Sequence, residues 1–402
     1  MKKILFLHTN FPGQYRRLAP YLKEGGGFDV RVGTLKSNAQ KIEFTHVKFE
    51  KQREARADIH PSLVRTENAL LTGQAAYSAL HAFKNQGWQP DIVCAHSGFG
   101  AGLFVKDVFP QAKYLAYHEW YFNGPVTDEG QPCSPDDHNA LIRSRMSNLS
   151  FLVDLAAMDA GVTPTAWQKA QFPSVFQSSL HVLHDGLDTG FYTPRETTTL
   201  TLGDGLTLTR ADEVITYVAR GMEPYRGFPQ FMEAVARIQK KNPKVQTIIV
   251  GNDRVAYGSK RSDGLTYKQH AFKSYDLDTS RVHFTGLVSF EQLRAIFRIS
   301  SVHVYLTVPF VLSWSMLEAM STGCVVLGSA TPPVQEVIQD GENGFLTDLF
   351  DTNLLAERIG DLLEKKESMT SVRQAARETI TLRYSASNTL PCHRQLILDL
   401  LN

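Results

Sequence analysis

The sequence has four cysteines in 402 residues and no C-x-x-C pair. Cys94, Cys133, Cys324 and Cys392 are scattered, which points away from a structural zinc and toward a reducing compartment. No run approaches the roughly 18 apolar residues of a membrane span. Met1-Lys2-Lys3 is followed by only four apolar residues, Ile4 to Leu7, too few for a signal segment, so they read as a first core strand. These absences lead us to expect a cytoplasmic protein. Net charge is also nearly absent, at +1, and gives no support for a general nucleic-acid binder. There is no H-E-x-x-H, no Walker lysine in a G-x-x-x-x-G-K-[ST] loop, and no G-x-G-x-x-G after the first strand. Gly25-Gly26-Gly27 follows the first helix and does not open one. The one D-x-D, Asp276-Leu277-Asp278, precedes a strand, the wrong end of a sheet for holding Mg²⁺ on a diphosphate, and reads as a solvated loop. No metal site and no resident cofactor are expected.

What the sequence does have is alternation. Apolar runs at 4–7, 29–32, 91–95, 114–117, 161–163 and 181–183 read as strands, with helical patterns at 15–23, 68–85 and 139–158 between them. Residues 36–62 are polar and mixed in charge, so they read as loop and weak strand. The Thr-rich stretch 193–212 reads as a boundary. The pattern then restarts, with strands at 214–218, 247–250, 282–284, 302–306 and 324–327 and helices at 228–240, 290–300 and 354–365. Strand–helix alternation implies parallel, doubly wound sheets, and ligands of such sheets bind beyond the carboxyl ends of the strands. The length fits two domains. There is no internal repeat and no low-complexity segment.

The candidate chemistry lies on strand-end loops. Residues 302–346 read as strand, tight loop, short helix, strand. Ser315 and Glu318 have capping-box spacing, and Gly323 sits where a helix C-cap belongs. Such a loop before a helix N-terminus can hold an anion, although Glu318 could equally serve only its helix. Arg220 and Arg226-Gly227 flank a loop between strand and helix. Two forked guanidinium groups there could pair with a diphosphate, or could simply be solvated. His118 ends a strand and precedes Glu119 and Trp120. It could be a satisfied strand-end histidine or a polar group in a cleft, with Asp91 and His96 placed alike. His184-Asp185-Gly186-Leu187-Asp188 could be no more than a turn.

Taken together, these residues resemble glycosyltransferase family 4, which has the GT-B fold, over essentially the whole chain. Residues 315–326, SMLEAMSTGCVV, look like the family's L-E-A-M-A-x-G-x-P-V signature. Residues 336–346, EVIQDGENGFL, resemble its E-x-I-x-D-G-x-N-G-x-L continuation. Arg220 and Arg226-Gly227 look like its phosphate-binding R…K-G element with the spacing one residue longer. Residues 184–191 resemble its H-x-G-x-D-x-x-F turn.

The resemblance implies an α/β chain of two Rossmann-like doubly wound domains facing across a cleft: an acceptor domain over 1–192, a nucleotide-sugar domain over 193–383, and a helical segment 384–402 returning to the first. It implies a retaining, metal-independent transferase whose donor is a UDP- or GDP-sugar and whose acceptor is a glycan, lipid-linked or other small molecule. Gly13, Gly286, Leu287, Ser313, Ser315 and Glu318 would bind the donor, with Glu318 on the ribose hydroxyls and the amides of 312–315 adding to the diphosphate site. His118, Arg220 and Arg226 would be catalytic. Phe11, Gln14, His96 and Glu119 would lie on the acceptor side.

One departure stands out. The family's first glutamate of an E-x7-E pair touches the donor sugar, and here that position is Phe310. An epimerase or phosphorylase on the same fold, or a protein that binds glycan or nucleotide without turnover, are the alternatives. Residues 36–56 mix Lys and Arg with Phe44, Val47 and Phe49. A solvated acceptor loop is the first reading of that stretch, and peripheral contact with an anionic membrane the second.

Overall fold

The computed structural model describes residues 1–124, 127, 133–134, 136–203 and 205–402. The chain divides into two compact units. The first holds the described residues of Met1–Pro125 and Pro132–Gly186 together with Ala386–Asn402; Leu187–Ser385 forms the bulk of the second.

The first unit is built on seven strands: β1 Lys2–Leu7, β2 Phe28–Leu35, β3 Thr45–Phe49, β4 Ile92–His96, β5 Lys113–Tyr117, β6 Ala160–Thr163 and β7 Leu180–Val182. They lie in the order β3-β2-β1-β4-β5-β6-β7, with every neighbouring pair parallel. Period-2 alternation explains why β1 has no polar face. Ile4 and Phe6 enter one core with Leu115, Tyr117 and Val162, while Leu5 and Leu7 enter another with Tyr114, Ala116 and Phe83. Helix Ala386–Leu401 contributes Leu390 and Ile397 to the first of these cores. The segment expected as one helix over 139–158 is two, His138–Met146 and Leu149–Ala157. The break has a cause. Ser147 Oγ bonds back to Arg143 O, and the Asn148 amide is spent on the backbone of Phe122, taking its N–H and donating to its C=O at 2.8 Å each.

The second unit opens with a small antiparallel hairpin, β8 Thr199–Thr201 and β9 Thr207–Thr209, inside the stretch expected as a plain boundary. Its main sheet has β10 Val214–Val218, β11 Gln246–Val250, β12 Val282–Gly286, β13 Val302–Tyr305, β14 Val326–Ser329 and β15 Phe345–Thr347. The order is β12-β11-β10-β13-β14-β15, again all parallel. Asp278 of the D-x-D accepts from Ser280 N and pairs with Arg281 at 2.7 Å, a local turn ahead of β12.

Each sheet has one place where the chain's winding reverses: between β1 and β4 in the first unit, and between β10 and β13 in the second. The carboxyl ends of these strands are the default ligand positions of doubly wound sheets.

Candidate functional site

In the second unit, the carboxyl end of β10 leads into the loop 219–227 and that of β13 into the loop 306–313. Arg226 joins the two. Its Nη1 donates to Tyr305 Oη at 3.2 Å and to Thr307 Oγ1 at 3.0 Å, and its Nη2 donates to Val311 O at 3.0 Å. The guanidinium carbon lies 5.5 Å from the Tyr257 ring centroid and 5.3 Å from that of Phe310. The cation is thus buried yet hydrogen-bonded, the condition for keeping charge out of water. Phe310, where the family motif has an acid, packs edge-on against Tyr257 at 4.9 Å and Tyr225 at 5.6 Å.

Gly227 carries the chain from this loop into helix Phe228–Lys241 at φ 63°, and a Cβ there would lie 2.5 Å from Leu306 Cβ. Only glycine fits both the backbone and the space. Glu223 is buried in the same loop. Its Oε2 accepts from Ala256 N at 2.6 Å, which secures the strand-end segment that carries Tyr257, and burial raises its pKa. Arg220 is exposed.

The short helix is Trp314–Ser321, and its N-cap is Ser313, not Ser315. Ser313 Oγ accepts from Ser315 N at 3.4 Å and bonds Ser315 Oγ at 2.9 Å, while Ser313 N donates to Tyr305 Oη at 2.7 Å. The capping box expected from Ser315 and Glu318 is therefore absent. Glu318 lies a turn further on and is 4% exposed. The helix ends as expected. Gly323 has φ 75°, its N–H meets Met320 O, and Cys324 N meets Ala319 O, a Schellman motif. Gly286 has φ 67° with open space where a Cβ would be, and Leu287 beside it is 73% exposed.

In the first unit, the ends of β1, β4 and β5 bring a polar chain together. His8 Nδ1 accepts from Asn10 N at 2.9 Å, so its Nε2 carries the proton and donates to Gln14 Oε1, also at 2.9 Å. Gln14 Nε2 donates to Glu119 Oε1 at 2.9 Å, and Glu119 Oε2 lies 3.6 Å from His96 Nε2. The His8 and His96 rings meet edge to face at 4.9 Å. Gly13 is at φ 45°, where a Cβ would overlap the His8 ring. Burial would raise the Glu119 carboxyl, but hydrogen bonds and charge from His96 and Gln14 outweigh it and hold the group ionised below the usual range. Gln14, His96 and Glu119, expected together, are together, and His8 is a member that the motif reading left out.

Two expected residues lie elsewhere. Phe11 is 2% exposed and packs edge-on against Phe44; its backbone is held by Thr34 and Asn38, so it anchors the loop from within the core. His118 is 0% exposed. It follows the pleat of β5 onto the face opposite Tyr117, where Nε2 lies 3.3 Å from Met158 Sδ and the ring packs on Phe172. Burial pushes its pKa down to about 3, and the neighbouring His96 adds to this. That burial replaces the expected open position for its ring. Tyr117, one residue earlier, points to the site face and donates to Asp185 Oδ1 at 2.8 Å.

Among the described residues no group of three or more His, Cys, Asp or Glu is placed to hold a metal ion, and no helix is long and apolar enough to cross a membrane. The basic residues of 36–56 are largely paired: Lys36 with Glu50, Lys41 with Glu43, Lys51 with Glu54 and Arg53 with Glu67.

Two family models match this chain, one after the other: "Glycosyl transferase family 4 group" over residues 26–192 and "Glycosyl transferases group 1" over 206–379. The chain is a family 4 glycosyltransferase. Among solved structures, sucrose-phosphate synthase from Thermosynechococcus elongatus superposes with a TM-score of 0.75 at 18% identity, covering 100% of this chain and 99% of that one. Anabaena HepE, solved in complex with UDP and glucose, superposes with a TM-score of 0.72 at 16% identity, covering 99% and 100%. At such identities the likeness shows the fold, which is GT-B. Trehalose synthase of Pyrococcus horikoshii is 26% identical over 191 residues, 47% of this glycosyltransferase and 43% of that protein. The curated relatives first matched are thus aligned over less than half of their own length.

Proposed function

We propose that this glycosyltransferase moves a sugar from a nucleoside diphosphate sugar to an acceptor hydroxyl, with retention of anomeric configuration and without a divalent metal. The second unit would hold the donor and the first the acceptor. The observation that carries this reading is Arg226, a cation fixed by Tyr305, Thr307 and the Val311 carbonyl at the place where the winding of its sheet reverses. A buried, pre-oriented guanidinium suits a diphosphate, because charge grows on the leaving group as the bond to the sugar breaks. Arg220 and the amides around Ser313 would add to it, Glu318 would take the ribose hydroxyls, and Gly286 and Leu287 would lie beside the base. HepE, a structural neighbour, was solved with UDP-glucose, which supports a nucleotide sugar as the donor.

In the reaction, the bond from the anomeric carbon to the diphosphate oxygen breaks and the acceptor oxygen bonds to that carbon. The acceptor proton leaves with the diphosphate. Gln14, His96 and Glu119 are the residues we assign to the acceptor side, and Gly13, in the loop just before Gln14, keeps its assignment to the donor. His118 would act from beneath them, by holding the end of β5.

The test is calorimetric titration of UDP and GDP, followed by mass spectrometry and anomeric NMR of any transfer product with and without EDTA. Arg226→Ala and Glu318→Ala should each weaken nucleotide binding at least tenfold, on the order of 1.5 kcal/mol or more for a charged hydrogen bond. Equal affinity in wild type and both variants would remove the site assignment. Inverted product or loss of activity in EDTA would remove the mechanism. Binding without transfer would favour a non-catalytic role, consistent with Phe310 in place of an acid.

A further inference from the structure

Beyond the polar chain, the carboxyl end of β5 carries a run of aromatics that the family motifs do not absorb. Trp120 follows Glu119 directly, and its ring centroid lies 6.0 Å from that of Trp167 and 6.2 Å from that of Phe122. Neither tryptophan belongs to any hydrophobic core cluster among the described residues, and both are half-buried.

The pair is nonetheless held in place. Helix Ala166–Ala170, which carries Trp167, is tied to the backbone of Glu119 by Gln168 Nε2, which donates to Glu119 O at 2.6 Å. The same glutamine is fixed by Thr165, whose Oγ1 accepts from Gln168 N at 3.1 Å and donates to Gln168 Oε1 at 2.9 Å. On the other side, Asn148 pins the backbone of Phe122 and the Arg65 guanidinium lies 4.6 Å from its ring centroid. A two-indole surface is therefore braced from two elements. It lies one residue from a carboxylate that is itself held by Gln14 and His96.

We propose that Trp120 and Trp167, with the Glu119 carboxylate, form an acceptor subsite for a carbohydrate ring. The proposal rests on the transferase reading above and narrows its acceptor class. A pyranose is amphipathic in the way this surface requires. Its C–H face covers indole while its equatorial hydroxyls, at the ring edge, donate to an ionised carboxylate and exchange hydrogen bonds with the Gln14 amide. Sites for small molecules combine an apolar wall with a few fixed polar groups in the same way. A phosphate-bearing end would meet the Glu119 charge, and an alkyl chain would take water from that carboxylate without offering it a hydrogen bond in return. The ring could belong to a free glycan or to the sugar end of a lipid-linked one, because the subsite reads the ring.

The experiment is tryptophan-fluorescence and calorimetric titration of the full chain. The probes are trisaccharides of glucose, galactose, mannose and N-acetylglucosamine, each also presented on vesicles as a lipid-linked form, with UDP and GDP titrated in parallel. We expect at least one sugar to bind the wild type. Trp120→Ala and Trp167→Ala should each weaken that sugar at least tenfold while leaving nucleotide affinity and Tm unchanged. Trp120→Phe and Trp167→Phe, which keep a flat ring and guard against misfolding, should restore part of the loss. Glu119→Gln should weaken the sugar less than either alanine variant. Binding of the free trisaccharide identifies a soluble glycan, and binding only on vesicles a lipid-linked one. Sugar affinity indifferent to both tryptophans, or no sugar bound by a chain that does bind nucleotide, overturns the subsite. Loss of nucleotide binding from the wild type would instead overturn the transferase reading, while the subsite would still stand or fall on its sugar titration.

Discussion

Gly227 shows how much of the site depends on one residue. Its φ of 63° and the 2.5 Å approach of a notional Cβ to Leu306 leave no room for a side chain. Gly227→Ala should lower stability by roughly 1–3 kcal/mol from backbone strain alone and shift the Arg226 loop. A fall in Tm together with weaker UDP or GDP binding would be the expected pair of results, and an unchanged Tm would contradict the argument. The sequence made this glycine legible, because a strand, a loop and a helix follow one another around it. It did not make His118 legible. A residue at the end of a strand points to one face or the other, and the alternation of Tyr114, Ala116 and His118 against Leu115 and Tyr117 decides which. Counting that period through β5 would have put His118 in the layer with Met158 and Phe172. The motif position alone suggested an open cleft.

At the scale of elements, helix Leu149–Ala157 is fastened to the end of β4 by one carboxylate. Asp154 accepts from Ser97 Oγ at 2.7 Å and from Tyr114 Oη at 2.8 Å. Burial raises its pKa to about 6, against the pull of those hydrogen bonds. The sign follows from proton binding. Between an unfolded pKa near 4 and a folded one near 6, the folded state holds the proton more tightly. This residue's contribution to stability is therefore greatest below that window and is lost as pH rises through it. The loss should be roughly 3 kcal/mol for a two-unit shift. Denaturant melts of wild type against Asp154→Asn between pH 4 and 7 should differ in slope in that direction, and parallel curves would refute it.

Elements were also where the sequence reading was strongest. Strands with apolar runs on both faces, such as β1 and β4, cannot be mistaken for loops. The β8–β9 hairpin was missed because only Leu200 and Leu208 turn inward and the rest is threonine. The helix start was set two residues late because Ser315 offered the spacing of a cap. Ser313 took the role instead, with its N–H already anchored on Tyr305.

At the scale of the whole molecule, the first unit is assembled from two distant parts of the chain. Ile397 is fully buried, in the same core as Ile4, Phe6 and Val162. His393 Nε2, on the same helix, lies 3.1 Å from the carbonyl of His184. Ile397→Ala should therefore cost about 2–5 kcal/mol, and the loss should appear in the first unit. Hydrogen exchange should speed up in β1, β5 and β6 and remain unchanged in β10 to β14. Faster exchange confined to residues near 397, with β1 protected as before, would mean that the helix is only a surface attachment.

This arrangement also sets an order of events during synthesis. Residues 187–385, the bulk of the second unit, have all been made when Ser385 leaves the ribosome. The unit that begins at residue 1 still lacks Leu390 and Ile397 at that moment. The core of that unit therefore cannot close until helix Ala386–Leu401 has emerged, and until then the apolar residues of β1 and β5 that share its core are a surface a chaperone would meet on a nascent chain.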